Sequence, residues 1–207
     1  MLSLFWLKWL SSERREKMLE GLYLLVVYPI YTFWFANHAS IFDENLSYVG
    51  NLDHLHWAFI LWGLLTVLAL ALGLRTCIDH SLFKKRNRML VMLAACLLML
   101  AVTLPYRPLD LPLLSLIHIL LSFAAPLSLL AAVFMIFMDL RMLYPSLMAP
   151  YLSVFLLICV IALGIYFKYA SVNTLVEIFL SITVSNLLKF TARNLTKVSG
   201  KNDEYQV

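Results

Sequence analysis

The chain has 207 residues, 62% of them hydrophobic and only 14% charged, and its mean hydropathy is +0.85; that composition excludes a soluble domain of ordinary make-up. The net charge of +4 sits beside apolar runs, not on a separate patch with interleaved aromatics, and so excludes a nucleic-acid-binding surface. Unbroken runs of about 17 to 25 apolar residues match a hydrocarbon core about 30 Å thick, where only helices or closed barrels satisfy the backbone, so the prediction is an all-α polytopic membrane bundle.

In chain order, residues 1–19 read as an amphipathic interfacial segment. The opening M-L-S-L-F-W-L-K-W-L has no basic n-region, and S-S-E-R-R-E-K follows it with no small-residue cleavage site, so a signal peptide is not expected. Trp6 and Trp9 would anchor it at the interface, and Ser12 would cap the following helix. Residues 20–192 hold six transmembrane helices, at roughly 20–37, 55–74, 89–104, 113–138, 148–167 and 173–190. Pro29 and Pro126 each remove a backbone hydrogen bond from their spans and predict kinks. Residues 193–207 read as a disordered polar cytoplasmic tail. Of the 16 Lys and Arg residues, all but Arg107 and Lys168 fall on one side of this arrangement, which predicts that both termini are cytoplasmic. Cys77 falls in a predicted cytoplasmic loop over 75–88, and Cys96 and Cys159 fall inside spans, so neither a disulfide nor a thiolate metal site is expected.

The polar groups that could carry chemistry concentrate at the outer side. In the first outer loop, Asp53, His54 and His56 offer imidazole and carboxylate ligands of the kind zinc accepts; a merely solvated loop is the alternative. The second outer loop, L-P-Y-R-P-L-D-L-P, holds Tyr106, Arg107 and Asp110 on a proline-stiffened connection. Arg107 suits a carboxylate partner or a lipid phosphate, or it simply snorkels to the interface. On span four, Ser115, His118 and Ser122 share a face; on span six, Asn173, Glu177, Ser181 and Ser185 recur every four residues.

A carboxylate within a span costs about 2.5 to 3.5 kcal/mol at mid-bilayer and less near an interface, so Glu177 requires a partner. His118 lies at a similar predicted depth, and a His118 to Glu177 contact is the leading expectation. The pair would line an outer-half cavity with Ser181, Ser122, Asn173 and Tyr106, with Arg107 near its mouth. The alternative is that these groups only join helices, at about 0.6 kcal/mol for each contact.

Three stretches resemble the Frag/DRAM/Sfk type of six-span membrane proteins. Span six, with Glu177, Asn186 and the ending K-F-T-A at 189–192, is similar to that family's final helix. P-L-L-S-L-I-H-I-L-L-S-F at 112–123 is similar to its helix opening around a histidine, and H-A-S-I-F-D-E-N-L-S-Y-V-G-N at 38–51 to its first outer loop. The resemblance implies a role with membrane lipids and supplies no catalytic set.

Together these readings favour an accessory protein without a cofactor, whose partners are membrane lipids, another membrane protein or a second copy of itself. An alternative makes His54, His56, His118, Asp53 and Glu177 a metal-assisted or acid/base centre acting on a lipid head group in the outer leaflet. A third makes Glu177 the proton or cation site of a transporter, although the chain has only 6 glycines and no internal repeat.

Overall fold

The computed structural model of the chain describes residues 12–38, 40–52 and 54–204. Among these residues all regular structure is helical. Helix α1 (Ser12–Leu22) runs through a π-helical turn (Tyr23–Val27) into α2 (Tyr28–Ala36); a short α3 (Leu46–Gly50) follows, then α4 (His56–Asp79), α5 (Lys84–Thr103), α6 (Pro112–Leu143), α7 (Pro145–Tyr169) and α8 (Thr174–Glu204). Six stretches are long and apolar enough to cross a membrane, namely Arg15–Ala36, His56–Asp79, Lys84–Thr103, Pro112–Leu143, Pro145–Tyr169 and Thr174–Val198. The chain is therefore an integral, multi-pass membrane protein built as an all-α bundle.

The helices outrun the predicted spans because apolar content marks only the part of a helix that sits in hydrocarbon, while the helix itself continues into polar surroundings. Where a loop over 75–88 was expected, α4 and α5 are joined by residues 80–83 alone. Cys77 accordingly lies within α4 and is fully buried, not in a loop. Similarly, α8 remains helical to Glu204 where a disordered tail was expected from 193. Packing explains its continuation: Leu195 belongs to the core, and Asn194 donates to the Tyr151 hydroxyl on α7. Trp6 and Trp9 lie outside the described residues, whereas residues 12–19 continue without interruption into the first span.

Pro29 is accommodated by the π-helical turn that precedes it. Its ring would strike the carbonyl four residues back, at Leu25, and it has no N–H to give; in the wider turn the Tyr28 N–H donates to the Tyr23 carbonyl, five residues back. Helix α6, by contrast, passes through Pro126 as one continuous helix.

The core falls into two main bodies. Toward the end where α4 meets α5 and α6 meets α7, Leu74, Ile136, Phe137, Met148, Phe155 and Leu188 pack together. This end, the basic end of the bundle, carries the predicted cytoplasmic lysines and arginines. Toward the loop end, Phe35, Leu46, Val49, Phe59, Trp62 and Val102 pack together, with Phe59 stacked between Phe35 and Trp62 at centroid distances of 5.8 and 5.9 Å. Between the two, α4 and α8 approach so closely that a Cβ on Gly73 would stand 2.7 Å from Leu188 Cβ and 3.0 Å from its backbone carbonyl carbon. Only glycine fits this backbone contact, and the dispersion gained by such proximity is what holds helices together where lipid removes the hydrophobic drive.

Candidate functional site

The first turn of α8 is stitched to the first outer loop. Its leading N–H groups have no carbonyl within the helix to bond, and the loop and the cap residue supply acceptors. The Thr174 N–H and hydroxyl both donate to the Glu44 carbonyl at 2.7 and 2.8 Å, and the Leu175 N–H donates to the Ile41 carbonyl at 3.1 Å. Asn173 caps the helix by accepting from the Val176 N–H at 3.1 Å while its amide donates to the Phe42 carbonyl.

Glu177 completes the clasp in the opposite sense. Its carboxylate accepts the Leu46 N–H at 2.6 Å, satisfying the first orphan donor of α3, and Asn45 caps the same helix through the Tyr48 N–H. Two helix N-termini are thus capped across one seam, and an acidic group there also suits the positive end of α3.

The expected His118 to Glu177 contact is not formed. His118 Nδ1 lies 2.9 Å from the Leu104 carbonyl, and its Nε2 is buried without a hydrogen-bond partner, so neither nitrogen reaches the carboxylate. The cause is the packing: α8 opens against residues 41–46, whereas the start of α6 faces the end of α5, so similar depth did not translate into contact. Ser181 lies on α8 as predicted but donates to the Ile178 carbonyl of its own helix, as Ser185 does to Ser181.

His118 instead sits in a second, separate group. A carbonyl oxygen only accepts, so Nδ1 carries the proton and, in the neutral ring, Nε2 presents a lone pair. One turn earlier Ser115 Oγ is likewise buried and unpartnered, and both residues are only 2% exposed. The Tyr106 ring lies 5.6 Å from the imidazole, and its backbone N–H donates to Asn51 at 2.7 Å. Ser122 continues this face one turn deeper and is half-buried, and Arg107 is exposed in the loop beside Tyr106.

Of the predicted zinc ligands, Asp53 lies outside the described residues. His54 is exposed, and His56 donates through Nδ1 to the Gly50 carbonyl at 3.1 Å. Among the described residues no three His, Cys, Asp or Glu side chains are grouped to hold a metal ion.

The basic end contains a polar cluster that the sequence reading did not single out. Asp139 on α6, 4% exposed, accepts from Arg86 at 2.8 Å and from the Asn87 amide at 2.7 Å through one oxygen. Asn87, fully buried, also donates to Ser81 Oγ at 2.9 Å and accepts from Arg86. Asp139 went unnoticed because the predicted fourth span stopped at 138, which left it outside the membrane region. Its neighbours offered a signal: an acid closing a long apolar run, with an Arg-Asn pair at the start of the preceding span. At the same end Lys189 pairs with Glu20.

Among the described residues, grooves open at the basic end. One, of about 800 Å³, lies along α5 from Leu82 to Leu93; the other, of about 500 Å³, lies between α7 and α8 around Tyr151 and Phe190. Neither includes His118, Glu177 or Ser181. No protein-family model, no curated protein and no solved structure matches the chain.

Proposed function

We propose that this is an accessory lipid-binding membrane protein with both termini cytoplasmic, and that His118 and Ser115 receive the hydroxyl group of a membrane lipid at the loop end. The observation that carries the reading is the pair of buried, unpartnered polar atoms, Nε2 and Oγ, one turn apart on α6. Leaving such an atom unsatisfied costs about 1 to 3 kcal/mol, and a hydroxyl has the chemistry for both, a proton to donate to the imidazole and a lone pair to accept from the serine.

Depth supports the same class of ligand. Helix α6 has 32 residues, about 48 Å at 1.5 Å per residue, so when centred it overshoots a 30 Å core by about 9 Å at each end. His118, six residues after Pro112, then lies at the boundary where the hydroxyl of a sterol or a diacylglycerol resides. The Tyr106 ring lies 5.6 Å from the imidazole, and its backbone N–H donates to Asn51. The resemblance to a lipid-related six-span family agrees with this role, and the basic residues bordering one end support the orientation. Glu177 is assigned to the clasp and not to the ligand.

The test is photo-crosslinking of the full chain with diazirine analogues of a sterol, of diacylglycerol and of phosphatidylcholine, followed by mapping of the labelled peptide. Preferential labelling of 104–122 by one of the two alcohols, lost about tenfold in Ser115→Ala and in His118→Phe, is the expected result. Ser115→Ala should at the same time leave the lipid-free protein slightly more stable, because it removes an orphaned hydroxyl. Equal labelling by phosphatidylcholine, or labelling unchanged in both variants, overturns the proposal. Loss of stability in lipid-free Ser115→Ala does so too, since it assigns the hydroxyl to an ordered water.

A further inference from the structure

We infer that the groove along the start of α5 binds one anionic glycerophospholipid. This goes beyond the loop-end reading and is independent of it, because the groove lies at the opposite end of the bundle.

The groove's charge is what selects the ligand. Three cations stand at its mouth, but Arg86 is matched by Asp139 at 2.8 Å, and nearby Arg88 faces Asp79 at 3.7 Å. Lys84 and Lys85 are exposed, and among the described residues neither forms an ion pair. The uncompensated charge at the mouth is therefore positive. Arg86 also lies 4.6 Å from the centroid of the Phe83 ring, which fixes that ring as one wall. Basic pockets bordering transmembrane helices are suited to anionic head groups, each lysine near the surface contributing about 1 kcal/mol.

Shape accounts for the rest of the molecule. Met89 and Leu93 line the same groove, and both are exposed. They lie about 8 and 14 Å further along the helix axis than Lys84 at 1.5 Å per residue. A phosphate held at Lys84 and Lys85 thus places an acyl chain along Met89 and Leu93, in the direction that lipid tails run. The groove, of about 800 Å³, is open along the helix and not enclosed, so an acyl chain lying in it keeps one side toward the bilayer. Because the site needs both the cationic mouth and the apolar wall, it favours one bound lipid over diffuse attraction to a charged surface.

Native mass spectrometry of the full-length protein tests this, with dioleoyl-phosphatidylglycerol titrated against dioleoyl-phosphatidylcholine. Retention of one phosphatidylglycerol in preference to phosphatidylcholine is expected. Lys84→Gln combined with Lys85→Gln should weaken it on the order of thirty-fold, from about 1 kcal/mol per lysine. Met89→Trp, which fills the groove without altering charge, should also weaken it, and Arg141→Gln, an exposed cation at the same end, should leave it unchanged. Equal retention of the two lipids overturns the inference, as does a double-lysine variant that binds normally. A Met89→Trp protein with full retention, or an Arg141→Gln protein as weak as the lysine variant, would show surface attraction in place of a site.

Discussion

The two ends of this bundle each hold a carboxylate, and they satisfy it in different ways. At the loop end Glu177 reaches across to a backbone N–H, that of Leu46, and caps a five-residue helix. At the basic end Asp139 is met by side chains, Arg86 and Asn87, with Ser81 behind them. One joins a loop to a helix; the other joins the α4–α5 turn and the start of α5 to the end of α6. The difference teaches that an acidic group in an apolar run identifies a place where chain segments must be held together, and that it identifies a ligand site only when it is left unsatisfied. Both carboxylates here have partners. The imidazole of His118, the partner expected from the sequence, is left with an open position, as are the buried polar atoms of Ser115, Thr32, Trp62 and Asn186.

The largest effect predicted from this contrast is at Asp139. Asp139→Ala removes the acceptor shared by Arg86 and Asn87 and leaves a fully buried amide and a partly buried guanidinium without it, so a loss of about 3 to 5 kcal/mol is expected. Denaturant titration in detergent micelles, followed by helical circular dichroism, reads it out. The discount for Arg86 being about a third exposed puts the result at the lower end of that range. A loss under 1 kcal/mol would mean that solvent compensates the cluster and that the two ends do not differ as described.

Glu177→Ala should cost less, about 1 to 3 kcal/mol, because it orphans one backbone N–H at the rim of the bundle. Glu177→Gln retains an acceptor oxygen for Leu46 and should recover most of the loss. The effect should also be local: proteolysis or hydrogen exchange over 40–50 should increase while the remainder of the bundle stays protected. Equal harm from alanine and glutamine would point instead to a role for the charge itself, and would make Glu177 a ligand candidate.

The sequence made the fold class legible because crossing a membrane demands long apolar helices, and nothing local competes with that demand. The ends of the helices were not legible for the same reason: hydropathy reports where hydrocarbon lies, and Arg75, Lys84 and Arg193 are helical outside it. At the candidate site, residue types were legible and their partners were not. Residue type and depth identified His118, Ser115, Asn173 and Glu177 as polar groups that must avoid lipid, and all four are shielded to some degree in the bundle. What periodicity does not encode is which helix faces which, and the error about the His118 to Glu177 contact follows from that. The clasp roles of Ile41, Phe42 and Glu44 were not legible because these residues act through backbone carbonyls, which every residue has.

The smallest effect, and the one that sharpens the loop-end side of the comparison, concerns the turn that delivers α8 to its clasp. Ala170, closing α7, has φ of 53° and is, among the described residues, the single non-glycine residue with positive φ. An L-residue there costs about 1 to 2 kcal/mol against the right-handed region, while glycine would avoid the steric cost at about 0.5 to 1 kcal/mol of added unfolded-state entropy. Ala170→Gly should therefore raise stability by about 0.5 kcal/mol, measured by the same denaturant titration. The strained turn is followed within four residues by Asn173 and Thr174, and Tyr169 beside it stacks on Phe42 at 5.3 Å, so the turn geometry and the clasp fix one another. If that coupling holds, the gain should shrink in a Glu177→Ala background, where the loop no longer fixes α8 and the turn can relax. Full additivity of the two substitutions would show that the turn is set by α7 and α8 alone.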